Sequence, residues 1–187
     1  SVVIHEVSHG LAADRLGDST ARLMGRLTLN PLKHLDPFGS IFLPLTLFFI
    51  SGGTVIFGWA KPVPYNPLYL KNPRRDAGLI ALLGPVSNLV IASIFGVFLR
   101  LLYSAGYGTT LPLLNLFFSF IVLINVSLAV FNLLPLPPLD GYRVLAAVLP
   151  ASAEPLSDFL DKYGYILFIF FIIFGLNLVK PLIYVIF

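Results

Sequence analysis

The chain has 187 residues, 57% hydrophobic and only 11% charged, with a formal net charge of +3 and no cysteine. Mean hydropathy is +0.90. This composition lies far from the soluble average, and the missing cysteine excludes disulfides and thiolate ligands. In so apolar a chain a small positive excess bears on membrane orientation rather than on nucleic acid, and no nucleic-acid partner is expected.

The first element carries His5-Glu6-Val7-Ser8-His9, an H-E-x-x-H pentad. Residues four apart share one face of a helix, so both histidines can aim a ring nitrogen at one metal ion. Glu6 can then reach a water on that metal and act as general base, the arrangement of zinc hydrolases. Only four residues precede His5, too few to cross a bilayer, and there is no initiator Met or secretory signal. The expectation is that a hydrophobic N-terminal part is missing.

Two basic loops follow. Arg15, Arg22, Arg26 and Lys33 lie in the first, and Lys61, Lys71, Arg74 and Arg75 in the second. The positive-inside tendency places both on the cytoplasmic side. Between them residues 37–60 are uncharged but interrupted by Pro44 and Gly52-Gly53, and their cleanest apolar run, 41–50, is short for a span. A re-entrant hairpin keeps both loops on one side, whereas a full crossing would put Arg74 and Arg75 outside. His34 reads as a surface or hydrogen-bonding residue in preference to a fourth ligand or proton carrier. Residues 25–30 and 54–59 cluster strand-forming residues between Gly and Pro. One of them is expected to be a short strand offering an edge to substrate.

Residues 77–99 are charge-free over membrane-spanning length and predict a helix. Gly84, Asn88, Ala92 and Gly96 form a small-residue stripe for helix packing, with Asn88 bonding across to the later motif loop. An outer turn at 104–110 precedes a second apolar helix over about 111–134. Asn125, Ala129 and Asn132 share one face of it. Asn132 is a candidate donor to a substrate carbonyl or developing oxyanion, or else a helix-end cap.

Residues 132–141, with prolines at 135, 137 and 138, cannot continue a helix. Non-helical backbone at membrane depth must be packed in protein or line a wet cavity. Asp140 ends the longest charge-free stretch and needs a specific partner there. Alone it would be a helix N-cap. Beside a two-histidine site it supplies the third protein ligand that a catalytic zinc requires. Residues 163–179 predict a last helix. The fold expected is an all-α polytopic membrane protein, 1–187 as one domain, its helices surrounding one zinc site and its cytoplasmic loops holding the hairpin and short strands.

The chain resembles the site-2 protease family of intramembrane zinc metalloproteases. The resemblance rests on the pentad, on Gly84-Pro85-Val86-Ser87-Asn88, and on Asn132, Pro135 and Leu139-Asp140-Gly141 in that order. The Asn30-Pro31-Leu32-Lys33-His34-Leu35-Asp36-Pro37 and Gly58-Trp59-Ala60-Lys61-Pro62-Val63-Pro64 segments resemble its compact prokaryotic branch. It implies zinc on His5, His9 and Asp140, Glu6 as catalytic base, and cleavage of membrane-spanning protein substrates at or within the bilayer. Against the family's pattern, the expectation is that the helix before the pentad and any PDZ or CBS module are not among these 187 residues. The alternative is a non-proteolytic zinc-binding membrane protein, either a pseudoprotease or a transporter. Glu6 argues against the first, since zinc binding alone does not need it. The charge-free spans argue against the second, since a transporter places ionisable residues at mid-membrane.

Overall fold

The computed structural model describes residues 1–183 except 55, 57, 109, 176–178, 180 and 182, and the described residues form helices and no strand. Among these residues seven α-helices follow one another: α1 Val2–Arg15, α2 Thr20–Leu23, α3 Leu43–Ile50, α4 Pro73–Ser104, α5 Pro112–Asn132, α6 Asp140–Val148 and α7 Glu154–Phe170. Short helical turns at Pro31–His34, Pro37–Phe42 and Pro67–Tyr69 punctuate the first half, and Phe171–Gly175 prolongs α7. Proline stands in the first turn of α3, α4, α5 and α7. Its missing N–H has no helical partner there in any case, and its fixed φ suits the helix.

Among the described residues, α4 and α5 are the two helices long and apolar enough to cross a membrane, with hydropathies of 2.0 and 2.3 over their best stretches. Only 22% and 33% of those stretches are buried, which distinguishes them from the core helices of a soluble protein. Val90, Ile94, Val97 and Leu101 of α4 and Leu113, Leu116, Phe117 and Phe120 of α5 face outward. Pro37–Ile50, also apolar, is shorter. At 1.5 Å per residue its 14 residues cover about 21 Å, less than the roughly 30 Å of a bilayer core.

α4 is the central element, packing along α5, α1 and α6. Ala92 meets Val122, Val126 and Val130 at the α4–α5 contact, backed by Phe95 and Leu99. Ala12 and Ala13 of α1 meet Ile80 and Leu70. These small side chains bring the helix axes close, so that polar groups on facing helices come within hydrogen-bond reach. Arg74, at the start of α4, donates from Nε to Ala146 O at 2.6 Å and from Nη2 to Leu149 O at 2.8 Å. A cation on the last carbonyls of α6 satisfies acceptors that have no helical partner. It also fixes where the other end of α6, Asp140, points.

The expected strand at 25–30 is not formed. Asn30 instead accepts from Leu32 N at 3.0 Å and caps the turn Pro31–His34. A side chain that bonds its own backbone two residues on offers the chain an alternative to a ladder. The 54–59 segment lies partly outside the described residues, and its described part is not a strand. The extended stretch is 58–66. It is held by Trp59 N to Gly39 O at 3.0 Å and Lys61 N to His34 O at 2.8 Å, and Pro62 and Pro64 interrupt any further donor row.

Candidate metal centre

His5 and His9 sit one turn apart on α1, and Asp140 opens α6. Asp140 makes no capping bond to its own helix. Its Oδ2 lies 3.1 Å from His5 Nε2 and 3.3 Å from His9 Nε2, and the two Nε2 atoms are 3.1 Å apart. His5, His9 and Asp140 are the three-residue group among the described residues whose ligand atoms cluster in this way.

The other ring nitrogen of each histidine is already committed. His5 Nδ1 is 2.6 Å from Asn88 Oδ1, and His9 Nδ1 is 2.8 Å from the Ile80 carbonyl. Both partners are acceptors, so each Nδ1 donates and each Nε2 is the ring nitrogen turned inward. Asp140 Oδ2 is buried and receives no hydrogen bond. The two Nε2 atoms and Asp140 Oδ2 therefore converge on one point, as potential ligands to a single cation. A tetrahedral zinc with ligands at about 2.0–2.2 Å separates them by roughly 3.3 Å, close to the spacings found. The donor set fits zinc.

Two glycines make the geometry possible. A Cβ at Gly84 would lie 2.4 Å from His9 Cε1 and Nε2 and 2.7 Å from His5 Cε1. One at Gly141 would lie 2.2 Å from the Leu133 carbonyl, so the proline-broken loop can fold this tightly against α6 only with glycine next to Asp140. Pro85, buried inside α4, cannot donate to the carbonyl of Ala81. The turn it weakens is the one that presents Ile80 O to His9.

Glu6, half-buried, has one hydrogen bond among the described residues: its Oε2 accepts from Val63 N at 2.8 Å. The Val63 segment is held in turn by Arg26, buried, whose Nη2 donates to Lys61 O at 2.8 Å and Pro62 O at 3.3 Å. A cavity of about 200 Å³ has Glu6, His9, Asp140, Val63 and Asn132 in its wall. Arg143 stands at the same cavity, its guanidinium 5.2 Å from the centre of the Tyr65 ring and bonded to the Tyr65 hydroxyl.

The structure thus brings His5, Glu6, His9 and Asp140 together, and Asn132 beside them. Asn132 Nδ2 donates to Leu128 O at 3.0 Å within its own helix, which leaves one amide hydrogen uncommitted. His34 lies outside the ligand cluster. It is 2% exposed, and its Nε2 bonds Thr28 O at 2.8 Å. Asn88 does not reach the motif loop as expected but bonds His5 and, through Nδ2, Asn125 Oδ1 at 2.8 Å. Sequence reasoning took the Gly84–Asn88 spacing as packing, and a Cβ at Gly96 would meet nothing. Ile80, Gly84 and Asn88 follow at i, i+4 and i+8. That register, laid against the i and i+4 histidines, is the signal that could have marked all three as histidine supports. Val63 acts through its backbone N–H and Arg26 through a guanidinium on the carbonyls of a distant segment, and neither had such a signal.

An all-helical chain with two apolar helices of bilayer length and a buried His-His-Asp acceptor cluster beside a glutamate has the layout of a metallohydrolase. The chain belongs to peptidase family M50, whose model matches residues 1–112 and 109–175. It is 44% identical over 174 residues to a Bacillus subtilis protein named "Putative zinc metalloprotease YwhC", covering 90% of this chain and 74% of that one. Two mycobacterial proteins named "Putative zinc metalloprotease Rip2" are 29% identical (Mycolicibacterium smegmatis) and 31% identical (Mycobacterium tuberculosis). Those matches cover 92% and 90% of this chain and 63% of each relative, so the chain spans under two thirds of their length. No solved structure matches.

Proposed function

We propose that this chain is a zinc-dependent intramembrane endopeptidase, binding one zinc and cleaving membrane-spanning proteins or peptides. The observation that carries the reading is the convergence of three potential metal-ligand atoms, His5 Nε2, His9 Nε2 and Asp140 Oδ2, beside a glutamate held by a backbone amide. When bound there, zinc supplies Lewis acidity, acidifying a water and polarising the scissile carbonyl. Glu6 takes the proton of the attacking water on its carboxylate and hands it to the leaving amine. The Val63 N–H holds Oε2 and so orients the carboxylate for that exchange. Asn132, which lines the cavity, would use its remaining amide hydrogen to stabilise the oxyanion.

The outward-facing apolar surfaces of α4 and α5 support a bilayer setting, with the chain crossing the cell membrane more than once. The basic loops on either side of α3 support a re-entrant 37–60 segment and a catalytic face toward the cytoplasm. A peptide bond inside a helix is shielded by the helix's own hydrogen bonds and side chains. Substrate therefore enters as an unwound segment.

The test joins metal analysis to cleavage of single-span substrates. His5→Ala and Asp140→Ala should lose zinc and activity together. Glu6→Gln should keep zinc and fold while turnover falls about 10²–10⁴-fold. A zinc-loaded Glu6→Gln protein that cuts at near wild-type rate would overturn the assignment.

A further inference from the structure

We propose that Asn125, which touches no metal ligand, decides which ring nitrogen of His5 carries the proton and so whether Nε2 is free to ligate; the inference rests on the zinc reading above. The argument begins at the far end. Asn125 Nδ2 donates to the Ile121 carbonyl at 2.8 Å and to Ser1 Oγ at 2.9 Å. A backbone carbonyl can only accept, so the amide nitrogen of Asn125 must lie on that side and its oxygen must face Asn88. The Asn88 atom 2.8 Å from Asn125 Oδ1 is therefore Nδ2, and the Asn88 oxygen turns to His5 Nδ1 at 2.6 Å. An oxygen there requires the proton of His5 on Nδ1 and leaves Nε2 bare for a metal. If Asn88 were flipped, its NH₂ would face Nδ1, the proton would move to Nε2, and His5 could not ligate.

Both asparagines are fully buried, at 0% exposure, so water cannot replace either partner. Asn125 is on α5 and Asn88 on α4, while His5 is on α1. The polarity of one amide on α5 is thereby passed through two hydrogen bonds to a ring nitrogen on α1. Asn125 is a positioning residue. It acts by removing the flipped state of Asn88, and its influence should vanish wherever the flip no longer matters.

Zinc affinity of the purified full chain in detergent, measured by competition with a chelator, reads this directly. The visible spectrum of the cobalt-substituted protein reports the ligand set, and melting of the zinc-free protein reports fold. Asn88→Leu and Asn125→Leu should each bind zinc about 10–100-fold more weakly, the range for losing an outer-shell partner of a ligating histidine. Asn125→Asp should stay within a few-fold of wild type. Its buried neutral carboxyl can accept from Asn88 with one oxygen and donate to Ile121 O with the other. In an Asn88→Asp background either carboxylate oxygen can accept from His5, so adding Asn125→Leu should cost no further affinity. If Asn125→Leu does not fold, Asn125→Ala replaces it in both comparisons.

Equal zinc affinity in wild type and Asn125→Leu overturns the relay. So does a loss that Asn125→Asp fails to restore, or one that persists in the Asn88→Asp background, since a packing role would produce either. A wild-type chain that holds no zinc defeats the metal reading itself and is distinguished from those outcomes by needing no variant.

Discussion

Gly84 occupies the position where a single added methyl meets both imidazoles. The distances of 2.4 Å to His9 and 2.7 Å to His5 are below any normal contact, so one ring or the helix must shift. Overpacking of this kind costs about 1–3 kcal/mol. Here the strain falls on the two metal ligands rather than on an apolar core. Gly84→Ala should therefore weaken zinc binding strongly while the zinc-free protein melts within a few degrees of wild type. The comparison of chelator competition with apo melting checks this, and unchanged affinity would show that the helices separate instead. At this scale the clustering of His5, His9 and Asp140 was legible because its chemistry is local. The His5 and His9 spacing is read within one turn, and Asp140 stands out as the acid that ends a long uncharged stretch. The supports Ile80 O, Val63 N and Arg26 were not legible. Two act through backbone atoms that every residue possesses, and all depend on which helices pack together.

Among the elements, the junction after α1 has its own pH dependence. Burial alone would raise the Asp18 carboxyl, but hydrogen bonds from Thr20 Oγ1, Asn66 N and Thr20 N outweigh it and hold its pKa below the ordinary carboxylate value. Asn66 ends the extended 58–66 stretch that carries Val63, so this carboxylate pins that stretch beside α1. Because the folded-state pKa is depressed, the stabilisation is full above the unfolded value of about 3.9 and is lost as pH falls through the lower folded value. Asp18→Asn, which turns an NH₂ toward a donor, should cost about 1–3 kcal/mol at pH 7. Its melting temperature should also fall less than that of wild type on acidification below about pH 4. Parallel melting curves for the two proteins across that range would remove Asp18 from the acid response. The long helices were legible from uncharged length alone, with α4 beginning at Pro73 and α5 at Pro112, close to the expected 77 and 111. The strand at 25–30 failed because Asn30 caps a helical turn, a local bond that residue-class patterns do not weigh.

For the whole molecule, the charge distribution makes a claim about sidedness that cysteine labelling can examine, since the chain has no cysteine of its own. Single cysteines at positions 22 and 74 should react alike with an impermeant reagent in intact cells, and one at 107 oppositely. Different labelling at 22 and 74 would mean that the 37–60 segment crosses. Arg74 is a less simple topology marker than its charge suggests, because it also caps the end of α6. Composition alone indicated a helical, bilayer-length architecture. It could not indicate that α4 would be the element against which α1, α5 and α6 all pack, because that depends on matching small-residue faces across helices.

The proposed metal site also joins parts of the chain that lie far apart in sequence. His5 and His9 belong to α1 and Asp140 to α6, so an ion held among them is a cross-link between the first and sixth helices. Folding and metal occupancy are then thermodynamically linked. An ion that binds only the folded state stabilises it by about 2.7 kcal/mol at 100 times its dissociation constant. For a chain of this size that is a rise of roughly 5–10 °C in melting temperature. Melts in zinc and in chelator should differ by about that much for wild type and not at all for Asp140→Ala. Identical wild-type melts would mean that α1 and α6 hold their places without the ion. If the difference is found, metal supply governs how long the protein persists as well as whether it can act, and a starved cell would lose the enzyme by unfolding as much as by inactivation.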